Sequence, residues 1–304
     1  MAQFKCSFIL FVTYSLDTIW KSIIRPPKEQ YTLKDLGFNN FNSYGRNYTR
    51  KDYKIIGRSG NILQCSLYEK EKDKQNLESL PIIIYCHGNS SSQKEVQFYM
   101  HKVLEADINI FAFDFSGCGR SEGEYISLGV YEQLDLKIVV DFVYKLPNVA
   151  SIGLWGHSMG AATILMYAAK DPRISCICAD SSFSDFTVLL KELADKLINI
   201  PGFVYSSAHS LTKSMVYNRN GVDIDQIKPI EEVEKIGIPT YLVHAMKDEL
   251  INSDHTIKLY EACGAFYKYV YICDGDHNSI RHDNIINKII SFFKKYLFRE
   301  KNKV

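Results

Sequence analysis

The chain has 304 residues, 46% of them apolar, with 36 Lys and Arg against 35 Asp and Glu and a formal charge of +1 at pH 7. That is enough apolar material for one sizeable core, and charges of both signs are scattered evenly, so there is no basic face to hold phosphate backbones and no nucleic-acid partner is expected. Eight cysteines with no CxxC pair, most of them inside apolar runs, fit a reduced compartment, and eight histidines at irregular spacing do not make a zinc site.

In chain order, an apolar run from Cys6 to Leu16 comes first, followed by Asp17, Trp20 and Lys21. It is short for a transmembrane helix and lacks a signal-peptide cleavage site. Residues 1–44 therefore read as an N-terminal apolar or helical extension, with two readings left open. The run packs on the domain, or it makes peripheral membrane contact through Trp20, Lys21 and Arg25. The expected location is cytoplasmic, with or without membrane association.

Residues 45–298 read as one α/β domain and 299–304 as a charged tail. Tyr53 to Ile56 and Ile62 to Tyr68 flank a Ser59-Gly60-Asn61 turn and predict an antiparallel hairpin on a sheet edge. From residue 80 onward, β-rich runs alternate with helical patterns, the signature of parallel crossover units. The predicted strands are Pro81 to Cys86, Ile108 to Phe115, Ser151 to Trp155, Ile174 to Ala179, Ile238 to His244 and Phe266 to Cys273. Apolar spacings of three and four predict helices over Lys94 to Ala106, Leu128 to Lys145, Met159 to Lys170, Ser253 to Ala262 and Ser279 to Leu297. The segment 183–234 breaks the alternation, and its amphipathic stretch Leu189 to Ile198 suggests a helical lid or an additional packed helix pair.

The stretch GLWGHSMGA, residues 153–161, carries the chemistry. A GxSxG pattern is weak by itself, but here a strand precedes it and an alanine-rich helix follows, which is the context of a nucleophile elbow. Gly156 and Gly160 leave room for neighbouring backbone, so the turn can lift Ser158 out at the carboxyl edge of the sheet. A serine needs a base, and the base a carboxylate. Later strand ends supply Asp248, with Glu249 and Asp254 as weaker rivals, and His277, with His282 as rival inside a predicted helix. His157 adjoins the serine and reads as a packing residue. The oxyanion donors would be the N–H groups of Met159 and, after the first central strand, of Asn89.

Together YCHGNSS, FAFDFSGCGRSEGEY, GLWGHSMGA, HAMKDELI and GDHNS resemble the serine α/β-hydrolases, especially intracellular Bem46-like and ABHD17-like members of the serine aminopeptidase kind. IIRPPKEQY is similar to a segment ahead of the domain in plant and protist members. The resemblance implies the α/β-hydrolase fold, with a mostly parallel sheet, an antiparallel N-terminal edge and helices on both faces. It implies Ser158 as nucleophile, Asp248 as acid, His277 as base, Asn89 and Met159 as oxyanion donors, and residues 114–121 as a structural loop beside the site. Ala245 stands where the family usually has glycine, and Cys6 alone stands in place of an N-terminal cysteine cluster, so protein depalmitoylation is not inherited from the resemblance.

The expected activity is hydrolysis of an acyl ester, thioester or amide through an acyl-enzyme, on a small-molecule or lipid-like acyl substrate, with no cofactor or metal. Aminopeptidase-like amide hydrolysis and a non-catalytic scaffold are the alternatives. Cys118, in the loop near the site, reads as buried and inert, with thiol oxidation as the contrary reading.

Overall fold

The computed structural model describes residues 18–71, 79–197 and 202–298. The apolar run before residue 18, Cys6 within it, Ile198 and the tail 299–304 lie outside the described residues. Nine strands among the described residues form one sheet: β1 (Asn40–Ser43), β2 (Arg46–Ile56), β3 (Ile62–Lys70), β4 (Leu80–Cys86), β5 (Asn109–Phe113), β6 (Val149–His157), β7 (Ile174–Asp180), β8 (Thr240–Ala245) and β9 (Lys268–Cys273). Their order is β1-β2-β3-β5-β4-β6-β7-β8-β9. Pairing is antiparallel from β1 through β3 to β5 and parallel from β5 onward.

The central parallel strands are buried on both faces. Asn109–Phe113 and Thr240–Ala245 are buried at every position, which is why they read as apolar runs without alternation. One face is covered by α2 (Met100–Glu105) and α9 (Asp283–Leu297), whose Ile285, Ile289 and Phe293 pack with Trp155 and Val103. The other face is covered by α3 (Glu132–Tyr144), α4 (Met159–Tyr167) and α8 (Asp254–Ala262).

The boundaries differ from the sequence reading in places that have a physical cause. The hairpin pairs as expected, with Ile56 opposite Ile62, but β1 pairs outside it, so the hairpin is one strand in from the edge. The helix expected over Lys94 to Ala106 splits into a 3-10 helix, Gln93–Phe98, and α2, because Tyr99 between them leaves the helical region at φ −123. Residues expected to precede the domain are built into it. Besides β1, a helix over 18–24 (α1) buries Trp20, Ile23 and Ile24 in the main core. Trp20, which the membrane-contact alternative would place at an interface, is 4% exposed with the Arg219 guanidinium 4.2 Å from its ring. Among the described residues no helix is long and apolar enough to cross a membrane.

The insertion forms α5 (Phe186–Leu197), α6 (Gly202–Asn220) and α7 (Pro229–Val233). Phe186, Leu189 and Val216 are buried in the main core, and Lys196 donates to the Glu249 carbonyl at 2.9 Å. Its described part is thus a packed helical arm reaching the loop that carries Asp248.

Candidate active site

The sheet order reverses at β4: the chain leaves it for β5 on one side and returns to β6 on the other. Ligands of open α/β sheets bind at such a switch point, outside the carboxyl ends of the strands. The predicted residues converge there.

β6 ends at His157, α4 begins at Met159, and Ser158 between them has φ 52 and ψ −114. A non-glycine residue in that region costs about 1–3 kcal/mol, so the surroundings must hold it. The Ser158 N–H donates to the Asp180 carbonyl at 2.8 Å, fixing the turn to the end of β7. A Cβ on Gly160 would overlap the Cys86 carbonyl, and one on Gly156 would overlap the Gly160 backbone, so both glycines are required by close approach.

Ser158 Oγ lies 2.9 Å from His277 Nε2, and His277 Nδ1 lies 2.6 Å from Asp248 Oδ2. These three side chains are nearly enclosed, the residues being 7%, 7% and 9% exposed. Asp248 Oδ1 accepts the N–H groups of Leu250 and Ile251, and Oδ2 also lies 3.2 Å from His244 Nε2. Burial acts to raise the Asp248 carboxyl, but the hydrogen bonds from His244 and His277 outweigh it and hold it well below the usual carboxylate range. The carboxylate at Nδ1 leaves Nε2 facing the serine as the acceptor.

The rivals are elsewhere. Glu249 and Asp254 are exposed. His282 is exposed too, and it is the N-cap of α9 rather than an interior helical residue, because that helix starts at Asp283. Cys118 is 2% exposed, and burial pushes its thiol well up, against a reactive thiolate.

After β4, His87 Nδ1 lies 2.7 Å from the Gly88 carbonyl, while its Nε2 accepts the Phe115 N–H at 3.1 Å, so Nδ1 carries the proton. The Gly88 N–H donates to Glu95 Oε1 at 3.2 Å. With both groups of Gly88 held, the peptide plane that carries the Asn89 N–H is fixed. Met159 opens α4, so its N–H has no intrahelical acceptor.

A cavity of about 620 Å³ lies above these groups, lined by Ser158, His277, Asn89 and Gly88 together with Phe98, Leu250 and Ile280. None of the described residues of 183–234 lines it, so the described part of the insertion does not cover the site as a lid would. Glu29 does line it, held by Ser92 Oγ at 2.6 Å and Lys94 Nζ at 2.7 Å. Its segment straps the loop 114–121: Lys28 Nζ donates to the Ser121 and Gly123 carbonyls, and Tyr31 Oη donates to Asp114 at 2.7 Å.

Sequence reasoning missed three groups. Arg281 is 3% exposed and forks onto Asp180 at 2.8 and 2.9 Å while Nη1 donates to the Asp276 and Ser279 carbonyls, tying the His277 loop to β7. Glu95 and His157 form a further ion pair beside the elbow, Nδ1 to Oε2 3.4 Å, with 15% and 16% of their side chains exposed. His244 backs Asp248, and its place near the end of a buried strand four residues before that carboxylate was the available signal.

A model of the alpha/beta hydrolase fold matches residues 81–205. The chain is 29% identical to the uncharacterized protein YqkD of Bacillus subtilis (strain 168) over 182 residues, 59% of each chain, and so spans less than two thirds of that relative. It is 25% identical to the uncharacterized protein YfhR of Escherichia coli O157:H7 over 223 residues, 70% of this chain and 71% of that one. Among solved structures it is similar to the Pyrococcus furiosus esterase Pf2001, with a TM-score of 0.69 and 22% identity over 90% of this chain and 99% of that one. Est1E from Butyrivibrio proteoclasticus, solved with ferulic acid bound, gives a TM-score of 0.64 and 18% identity over 81% and 99%. Sheet order, family match and structural likeness agree: the chain has the α/β-hydrolase fold.

Proposed function

We propose that the protein is a serine hydrolase that cleaves a carboxylic ester or thioester through an acyl-enzyme. The observation that carries this reading is the relay from Ser158 Oγ through His277 to Asp248, at 2.9 and 2.6 Å, on an elbow held in a costly conformation. Ser158 Oγ attacks the acyl carbonyl while His277 Nε2 takes its proton, and Asp248 steadies the imidazolium. The carbonyl oxygen becomes an oxyanion facing the N–H groups of Asn89 and Met159. Collapse expels the leaving group, protonated by His277, and water activated by the same histidine then releases the acid and restores the serine.

The substrate class we favour is a lipophilic acyl compound. Phe98, Leu250 and Ile280 line the cavity and are 58%, 44% and 54% exposed, giving an acyl chain an apolar surface beside the nucleophile. The structural likeness to the Pyrococcus furiosus esterase Pf2001 and the resemblance to Bem46-like hydrolases support ester cleavage. A series of nitrophenyl esters of increasing chain length tests it. Activity should rise from acetyl to a medium-length acyl group; a maximum at acetyl with steady decline would contradict the lipophilic reading, and aminoacyl amides outpacing esters of equal size would favour a peptidase.

A further inference from the structure

His157 precedes the nucleophile and points both ring nitrogens at acceptors. Nε2 lies 3.1 Å from the His277 carbonyl and Nδ1 lies 3.4 Å from Glu95 Oε2. A neutral imidazole has one donor, so it would turn a lone pair towards one of these oxygens. The cation can donate to the carbonyl and pair with the carboxylate at the same time.

Glu95 has other attachments. Its carboxylate accepts the Gly88 N–H at 3.2 and 3.4 Å and the Tyr85 hydroxyl at 3.0 Å. One ion pair therefore joins the turn that presents the Asn89 N–H to the loop that carries the base, with the elbow between them. We propose that His157 and Glu95 are a positioning pair that clasps the Gly88 turn and the His277 loop to the elbow, and that hydrolysis depends on the cationic form of His157. The inference rests on the hydrolase reading of Ser158.

The charged and titratable groups near His157 come from several elements. Glu95 belongs to the 3-10 helix Gln93–Phe98, Asp180 to the end of β7, and Arg281 to the last loop; the His277 ring of that loop packs against His157 at 5.3 Å between centroids, and His87 neighbours Glu95. Asp180 is neutralised by Arg281, leaving Glu95 as the counter-ion. Burial acts to lower the His157 pKa, but the Glu95 carboxylate outweighs it and pushes it up to about 9. The clasp is therefore complete at neutral pH and is lost as pH rises through about 9. The tyrosines lining the cavity, Tyr85 and Tyr99, have their hydroxyls pushed up by burial and do not compete for that limb.

The test measures kcat and KM on a nitrophenyl ester from about pH 6 to about pH 10 for the wild type, His157→Gln and Glu95→Gln. The wild type should show an alkaline fall in kcat/KM. His157→Gln, which keeps one donor and no charge, should lose that fall and lower kcat on the order of tenfold to a hundredfold, with KM little changed. Glu95→Gln should move the fall to lower pH. The same limb in all three proteins, or no limb in the wild type, overturns the proposal. If a variant does not fold, 15N spectra of histidine-labelled wild type decide: His157 should keep both ring nitrogens protonated at neutral pH, and a neutral ring there would overturn the idea. Failure of the wild type to react with a fluorophosphonate probe would instead overturn the hydrolase reading, and the ring titration would still report on the pair.

Discussion

Ser158 and Asp135 represent two kinds of local cost in this fold. Ser158 is held at positive φ by a hydrogen bond to β7, and the strain places its hydroxyl at the sheet edge. Asp135, at the start of α3, is buried, accepts the Ser116 N–H on one oxygen and leaves Oδ1 without a partner, as is the Ser116 hydroxyl. Burial pushes its carboxyl up to about 6. A carboxyl raised in the folded state binds its proton more tightly there than in the unfolded chain, so folding is penalised above about pH 6 and the penalty fades as pH falls towards about 4. Asp135→Asn should keep an acceptor for Ser116 and stabilise the protein by about 1–3 kcal/mol near pH 8, with a smaller gain near pH 4. Urea unfolding at the two pH values measures this; no gain at the higher value, or equal gains at both, would contradict it. The principal site residues could be read because each follows a strand at a turn. The partners that set their charge could not, because Glu95 and His157, or Asp180 and Arg281, are far apart in sequence and meet only when the sheet forms.

Among the elements, the loop between β9 and α9 that carries His277 has little regular structure and depends on Arg281. Burial acts to raise the Asp180 carboxyl, and the Arg281 charge and hydrogen bonds outweigh it and hold it below its ordinary value. Arg281→Met would leave that carboxylate buried alone, a loss on the order of 3–5 kcal/mol. It should also free the Asp276 and Ser279 carbonyls and slow fluorophosphonate labelling of the folded protein. Urea unfolding with labelling rates reads both; a stability loss with unchanged labelling of the folded fraction would contradict a positioning role. Helix starts were the poorly legible part of these elements. α3 and α9 each begin four residues later than their apolar spacing suggested, because Leu128 sits at positive φ and Arg281 is drawn away into its ion pair.

For the whole molecule, the parallel half was legible because strands buried on both faces leave unbroken apolar runs between amphipathic helices. Two features of assembly were not. The amphipathic pattern of α5 shows that one face is covered without showing by what, and that face meets the main core rather than the cavity. The segment before residue 45 has apolar runs too short to announce β1 and α1, yet it closes one edge of the sheet and, through Glu29, contributes to the site. Under the proposed function this assembly activates Ser158. Reaction of purified wild type and Ser158→Ala with a fluorophosphonate probe tests it most directly: the wild type should label and the folded variant should not, whereas an unlabelled, folded wild type, or equal labelling of both, would contradict an activated serine at this elbow.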